Sequence, residues 1–193
     1  YIRSQQVYGL LAVILLYGAV ILTPIAKLLP RGKYIQRALF ARRAIGVSSF
    51  YFAVLHTVIA VADQLGGIGA VNLLPERFIV ALILGAGGFF ILAAMALTSF
   101  DTVITRMTFR RWKRLHSFVY LAGALIIVHV WLIGTHSIIP GIRVASATAL
   151  ALLFSLESVR LAKKWAPRYS LEPLKQRLIS LIIFVLLFGS LWL

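Results

Sequence analysis

Three histidines lie inside or at the edge of strongly apolar stretches of the sequence: His56, His116 and His129. Ionisable side chains are costly inside a membrane span, so each of the three is a candidate functional residue. Imidazole binds haem iron, and it also binds zinc and copper. Two histidines on separate helices, at one depth in the membrane, would suit the two axial positions of a haem.

The composition is that of an integral membrane protein. Of the 193 residues, 61% are hydrophobic and 13% are charged, and the mean hydropathy is +0.96. Water-soluble domains of this length do not reach such a value. The sequence has no cysteine, which excludes disulfides, thiolate metal ligands and covalent attachment of haem. Any haem must therefore be held noncovalently, by histidine.

The apolar segments predict an all-α fold, a polytopic transmembrane helical bundle of five to six spans with haem held between two helices. A sixth run, at 178–193, is marginal because a span needs about 20 residues. We treat residues 1–193 as a single membrane domain, and we expect the chain to be incomplete before Tyr1, which is not a methionine. The five clear spans are predicted at 7–29, 44–62, 78–98, 115–134 and 144–161.

Basic residues alternate between the two ends of the predicted spans. Six Lys or Arg lie in 27–43 with both end residues counted, five in 99–114 and five in 162–177, whereas each intervening loop has one. Because Lys and Arg mark cytoplasmic loops, the loops 30–43, 99–114 and 162–177 are predicted to face the cytoplasm from a bacterial inner membrane. Topology and contact with anionic lipid then account for the net charge of +15, and no nucleic-acid partner is predicted.

The histidines of spans two and four are predicted to lie at the same depth. With a rise of 1.5 Å per residue, His56 is about 20 Å from the cytoplasmic end of its span and His129 about 22 Å from the same side. A single histidine in a membrane helix is more often a hydrogen-bond partner, but two at matched depth favour ligation. No carboxylate or thiolate accompanies them, which favours haem over zinc or copper. His136, beyond span four, is a weaker candidate.

His116 lies at the predicted cytoplasmic boundary, and no histidine of span two matches its depth. Three roles stay open for it: one ligand of an inner haem, a contact to a flavin such as FMN or to a quinone headgroup, or an interfacial hydrogen bond. The neighbouring residues that could hold the phosphate or headgroup of this inner cofactor, or of a membrane lipid, are Arg42, Arg43, Arg111, Trp112 and Arg114.

Span three contains the glycine cluster Gly85-Ala86-Gly87-Gly88. A dinucleotide-binding glycine motif needs a strand before it and a helix after it, and neither is compatible with an apolar span. We interpret the cluster as small residues that allow two membrane helices to approach closely.

Several runs of the sequence resemble the ferric reductase-like transmembrane family, over about residues 20–162. Within that family the similarity is greatest to a bacterial branch of haem-binding membrane subunits that serve a periplasmic methionine sulfoxide reductase. The runs are Ala41-Arg42-Arg43-Ala44-Ile45-Gly46 leading to Ala53-Val54-Leu55-His56, then Leu97-Thr98-Ser99, and Arg111-Trp112-Lys113-Arg114-Leu115-His116-Ser117-Phe118-Val119-Tyr120-Leu121 running to His129.

The resemblance implies that His56 and His129 are the axial ligands of a b-type haem that carries electrons across the membrane. The donor would be a cytoplasmic flavin or a quinol, and the acceptor a redox partner on the outer side, such as a periplasmic reductase. His116 matches the family's inner histidine, but the usual partner of that histidine, fourteen residues before His56, is Arg42 here. The resemblance also implies that the family's first helix precedes Tyr1 and that the helix at 178–193 is additional.

The expected role is thus an electron-transfer subunit of an oxidoreductase system, because a six-coordinate iron has no open position for a substrate. Two other functions stay open. The chain could be a structural or assembly subunit of a larger membrane complex, or the core of a ferric reductase whose flavin domain is a separate protein.

Overall fold

The computed structural model describes residues 2–29, 32–65, 67–133 and 140–165, and these residues are almost entirely helical. The apolar run 178–193, residues 166–177 of the third basic loop and His136 lie outside the described residues. No strand occurs within the described ranges, as the all-α prediction requires.

The described chain forms α-helices joined by short connections. A π-helical turn, Ala60–Gln64, continues the second helix, and a 3-10 helix, Ile68–Leu73, precedes the third. Gly67, which joins these two segments, has a φ of 101°, a conformation that glycine adopts without strain. The helices are α1 (Ile2–Leu28), α2 (Lys33–Ile59), α3 (Glu76–Leu97), α4 (Asp101–Arg106), α5 (Phe109–Ser117), α6 (Val119–Ile133) and α7 (Pro140–Trp165).

Five helical segments are long and apolar enough to cross a membrane, which confirms a multi-pass helical membrane protein. A helix satisfies its own backbone hydrogen bonds, as a segment surrounded by lipid must. Large apolar side chains are exposed on these helices, where they would contact lipid, including Ile14, Ile83, Phe90 and Val128. The five segments are Ser4–Leu28, Lys33–Gln64, Glu76–Leu97, Phe109–Ile133 and Val144–Lys163.

Two basic segments that were predicted as loops are helical instead. Residues 33–43 form the first part of α2, and residues 109–114 lie in α5. Lys and Arg are good helix formers, and their long stems let the charged ends reach water from a helix. Thr108 caps α5 by accepting a hydrogen bond from the backbone N–H of Arg111. Span four therefore begins earlier than predicted, with a break at Phe118 between α5 and α6.

The described residues divide into two compact units, and the first comprises 2–20, 40–65 and 67–133. Within it, α3 packs closely against α6, and Ala81 and Ala122 have no exposed surface. A side chain at Gly88 would collide with Ile126. The hydroxyl of the buried Ser49 donates a hydrogen bond to the carbonyl of Ala12 at 2.8 Å, which joins α2 to α1.

Among the described residues, the second unit comprises 21–29, 32–39 and 140–165. Its helix α7 extends past both predicted ends of span five, 144 and 161. Glu157 is buried, and its carboxylate forms an ion pair of 2.5 Å with Arg160 one turn later on the same helix. Because the two opposite charges are paired, α7 can carry them within an apolar segment.

Candidate functional site

His56 of α2 and His129 of α6 lie side by side in the first unit. Their ring centroids are 6.4 Å apart, and the ring planes are perpendicular. The contact confirms the matched depth that was predicted from the positions of the two residues along their spans.

Each of these histidines makes a hydrogen bond through Nδ1 to a backbone carbonyl of a neighbouring helix. His56 Nδ1 lies 3.0 Å from the carbonyl oxygen of Gln5 in α1, and His129 Nδ1 lies 2.7 Å from that of Ala81 in α3. A carbonyl oxygen can only accept, so Nδ1 of each ring carries the proton and donates. In the neutral form of each ring, Nε2 is then the unprotonated nitrogen, and none of the described residues hydrogen-bonds to it.

This arrangement fits a haem between the two rings. A metal-bound imidazole nitrogen lies about 2 Å from its metal, which puts the centroids of two imidazoles on opposite sides of one ion about 6 Å apart. Within the described ranges, no three His, Asp, Glu or Cys side chains come together. Two protein ligands leave a zinc or copper ion incompletely coordinated, whereas a porphyrin supplies four further nitrogens itself.

Two glycines face these rings and were not identified as site residues from the sequence. A Cβ atom at Gly9 would lie 2.7 Å from His56 Nδ1, and one at Gly85 would lie 2.6 Å from His129 Nδ1. The sequence interpretation of the glycine cluster in α3 as a packing surface holds for Gly88, which faces Ile126. Gly85 instead leaves room for a ring. The sequence offered a partial signal, because Gly85 lies at the predicted depth of His129, but depth alone does not show which glycine of the cluster faces the ring.

His116 is enclosed by its own helix and by the end of α3. Its Nδ1 lies 3.1 Å from the carbonyl oxygen of Trp112, and its Nε2 lies 3.4 Å from the hydroxyl oxygen of Ser99. The ring stacks on the indole of Trp112, with centroids 4.0 Å apart. Both nitrogens of His116 therefore face oxygen atoms of the protein, unlike those of the other two histidines.

Arg42 occupies the level of His116, as the sequence predicted. Its Nε donates a hydrogen bond of 2.9 Å to the carbonyl of Ala19 in α1, and its charge acts on the His116 ring. The next residue, Arg43, forms an ion pair of 2.6 Å with Asp101. The hydrogen bond from Arg43, together with its charge, lowers the pKa of the Asp101 carboxyl. These contacts bring the basic parts of α2 and α5 to the same end of the unit.

The other inner candidates are less closely associated with His116. Trp112 Nε1 donates a hydrogen bond of 3.3 Å to the carbonyl of Thr98, so Trp112 is anchored to the end of α3. Arg111 and Arg114 are exposed. A groove of about 400 Å³ adjoins this region and is lined by Phe40, Arg43, Ala44, Val47, Ala96, Ser99 and Phe100.

Comparison with known proteins gives both a family match and individual relatives. The family described as ferric reductase like transmembrane component matches residues 8–128, more than half of the chain. The chain is 34% identical over 127 residues to a protein-methionine-sulfoxide reductase heme-binding subunit, MsrQ, of Cronobacter sakazakii, and 33% identical over 159 residues to the MsrQ of Pectobacterium carotovorum. It is also 36% identical over 99 residues to the magnetosome protein MamZ of Magnetospirillum gryphiswaldense.

The matched regions cover different shares of these proteins. They amount to 65% of this chain and 60% of the Cronobacter protein, and to 81% of this chain and 76% of the Pectobacterium protein. For MamZ they amount to 49% of this chain and 15% of the relative. The chain thus spans less than two thirds of the length of the Cronobacter relative.

Proposed function

This chain belongs to the ferric reductase-like transmembrane family, and on that premise we propose that it binds haem b between His56 and His129 and carries electrons across the membrane. The two facing imidazoles, each held by a neighbouring helix through Nδ1, are the observation that supports this proposal. A bound haem would supply a reversible one-electron change at its iron.

The residues around the site favour electron transfer over chemistry on a substrate. His56 and His129 would hold the haem from both sides, and a haem iron held by two histidines would have no open position for a substrate. The Nδ1 hydrogen bonds hold each ring in one orientation and, in the neutral ring, favour the tautomer whose Nε2 can bind a metal. Both rings are partly buried among apolar helices.

We propose that electrons enter at the basic end of the first unit and leave at the opposite end. Arg42, Arg43 and the cations of α5 support a cytoplasmic location for the first end by the positive-inside rule, and in this proposal the paired histidines lie toward the other end. The donor in this proposal is a cytoplasmic flavin or a membrane quinol. Arg111 and Arg114 are exposed at that end, where they can meet the phosphate of a flavin or of a lipid.

The acceptor in this proposal is a periplasmic reductase. The name of the relatives from Cronobacter and Pectobacterium describes a haem-binding subunit for a protein-methionine-sulfoxide reductase. We propose the same class of partner here, together with a location in the bacterial inner membrane. His116 in this proposal is not an iron ligand, since both of its nitrogens face protein oxygens and Arg42 stands where a second histidine would be needed.

A pyridine haemochrome assay and a reduced-minus-oxidised spectrum of the purified protein test the haem proposal. We expect one haem b in the wild type and in His116→Ala, and loss of that haem in His56→Ala and His129→Ala. His116→Ala is the matched control, because it also removes an imidazole from a membrane helix. Wild-type protein without haem, after expression with haem supplied, would exclude the proposal and favour a structural or assembly role.

A further inference from the structure

We propose that Gly9 and Gly85 are positioning residues for His56 and His129, which we call the outer histidines. Each glycine uncovers a backbone carbonyl one helical turn earlier, and the histidine of the adjacent helix donates its Nδ1–H to that carbonyl. This inference rests on the proposed haem site and goes beyond it, because it assigns the orientation of both rings to glycines that bind nothing themselves.

The spacing is the same on both sides of the pair. His56 bonds to the carbonyl of Gln5, four residues before Gly9, and His129 bonds to that of Ala81, four residues before Gly85. In an α-helix the carbonyl of one residue accepts the N–H of the fourth residue after it. Cβ bonds tilt toward the start of the helix, so the side chain of that fourth residue lies over the same carbonyl. Glycine leaves the second lone pair of the carbonyl open to a neighbouring helix.

The distances leave no room for a methyl group at either position. A Cβ at Gly9 would be 2.7 Å from His56 Nδ1, and one at Gly85 would be 2.6 Å from His129 Nδ1. Carbon and nitrogen atoms that are not bonded do not approach so closely. With alanine at either position the ring must move away from the carbonyl, and the hydrogen bond is lengthened or lost.

Ordinary helix packing does not explain these two glycines. Glycine inside a helix is less favourable than alanine by about 1 kcal/mol, so it needs a compensating reason. Other helical glycines of the first unit differ: at Gly18, Gly46 and Gly123 a Cβ would meet nothing within 4 Å. Gly88 is crowded too, but by the side chain of Ile126 and not by a histidine.

The consequence of the hydrogen bond is chemical as well as geometric. A ligating histidine that donates its second N–H to a carbonyl has a fixed tautomer and a more basic ligating nitrogen. A more basic ligand stabilises ferric over ferrous iron and so lowers the reduction potential. Gly9 and Gly85 therefore act on both the affinity for haem and its potential, through the rings that they accommodate.

Gly85→Ala and Gly9→Ala test the proposal against two matched controls, Gly88→Ala and Gly18→Ala. Gly88→Ala introduces a similar collision between α3 and α6, with a Cβ 2.7 Å from Ile126, but leaves the ring space empty. Gly18→Ala adds a methyl group to α1 in open space. We expect the first two variants to bind haem about 10 to 100-fold more weakly, the usual effect of losing such a partner, and to show a raised midpoint potential. The controls should match the wild type.

Nitrogen NMR of the haem-free protein gives a readout that does not depend on haem. The protein should show His129 with its proton on Nδ1, and Gly85→Ala should lose that preference while Gly88→Ala keeps it. Should Gly85→Ala fail to fold, Gly9→Ala with His56 provides the same comparison on α1. Equal potentials and equal tautomers in Gly85→Ala and Gly88→Ala would overturn the positioning role. Haem that persists in His129→Ala would instead exclude the haem site itself.

Discussion

At the level that we propose to be the outer one, the imidazoles of His56 and His129 lie with centroids 6.4 Å apart, whereas at the proposed inner level His116 stacks on the Trp112 indole and lies within reach of the charge of Arg42. The Nδ1 hydrogen bonds of the outer rings go to other helices. The Nδ1 of His116 bonds to its own helix, at the carbonyl of Trp112 four residues earlier. The residue type is the same at both levels, but the surrounding contacts differ.

If the proposed haem site is right, this difference indicates which contacts make a membrane histidine suitable as a metal ligand. A bond from Nδ1 to a neighbouring helix fixes the ring relative to the bundle and directs Nε2 into the space between helices. A bond to the preceding turn holds the ring against its own helix, and at His116 the hydroxyl of Ser99 then occupies the Nε2 side. Matched depth alone thus does not distinguish the proposed ligands from His116, whereas the hydrogen-bond partners of the ring nitrogens do.

The largest expected effect comes from removing one outer ring and replacing it with free imidazole. His129→Gly should lose its haem, because one axial ligand is missing, and should regain haem binding in imidazole buffer, because the vacated ring space can admit the small ligand. The haem spectrum of the purified variant, with and without imidazole, measures this recovery.

His116→Gly is the control for the same experiment. It should retain haem in both buffers, since the ring that it loses is held by protein oxygens. If His116→Gly lacked haem and regained it in imidazole buffer, His116 would also be an iron ligand. The distinction between the two levels would then be lost.

A smaller effect is expected from Trp112→Ala, which removes the stacked neighbour of His116 and the donor to Thr98. The half-buried indole should contribute about 2 kcal/mol to the free energy of unfolding, and its loss should leave the haem content unchanged. Denaturation of the protein in detergent, followed by haem absorbance and by far-ultraviolet circular dichroism, measures both quantities. Trp112→Phe keeps an aromatic ring against His116, so its free energy of unfolding should lie between those of the wild type and Trp112→Ala. A haem content that falls in folded Trp112→Ala would place the indole in the cofactor site.

Much of the fold was predictable because a bilayer imposes strict lengths. The five spans follow from apolar runs of about 20 residues, and the meeting of His56 with His129 follows from their equal distance to the basic ends. The helical state of residues 33–43 was missed, since a basic segment between two spans is read as a loop by charge alone. The break at Phe118 was missed for a related reason, because it interrupts a run that is continuous in hydropathy.

The support of the outer rings was not predictable from the sequence. Gln5 and Ala81 contribute backbone carbonyls, and a backbone contact leaves no mark in the residue type. Gly85 was assigned to helix packing together with Gly87 and Gly88. Which of these glycines faces a ring depends on the rotation of α3 about its axis, and the sequence does not fix that rotation. At the inner level the position of Arg42 was predicted, but its bond to Ala19 depends on how α1 lies against α2.

The smallest expected effect lies at the inner level, in the ion pair between Arg43 and Asp101. The hydrogen bond from Arg43 is the larger cause of the lowered pKa of the Asp101 carboxyl, and the charge of the guanidinium adds to it. The folded-state pKa lies below the unfolded one, so the stabilisation by this exposed ion pair, too small to measure in unfolding, is fully present above about pH 4 and is lost as the pH falls through the folded-state pKa.

NMR titration of the Asp101 carboxyl measures this pKa. Arg43→Ala should return the pKa toward the ordinary aspartate value, whereas Arg111→Ala, which removes an exposed cation from the same end, should leave it lowered. High salt should reverse only part of the shift, because salt screens the charge of Arg43 more than its hydrogen bond. The side chains of Arg43 and Asp101 are 46% and 83% exposed, so neither variant should change the haem content or measurably alter stability. A pKa of Asp101 that is the same in the wild type and in Arg43→Ala would contradict the ion pair, and with it the contact that brings α2 and α4 to the same end of the unit.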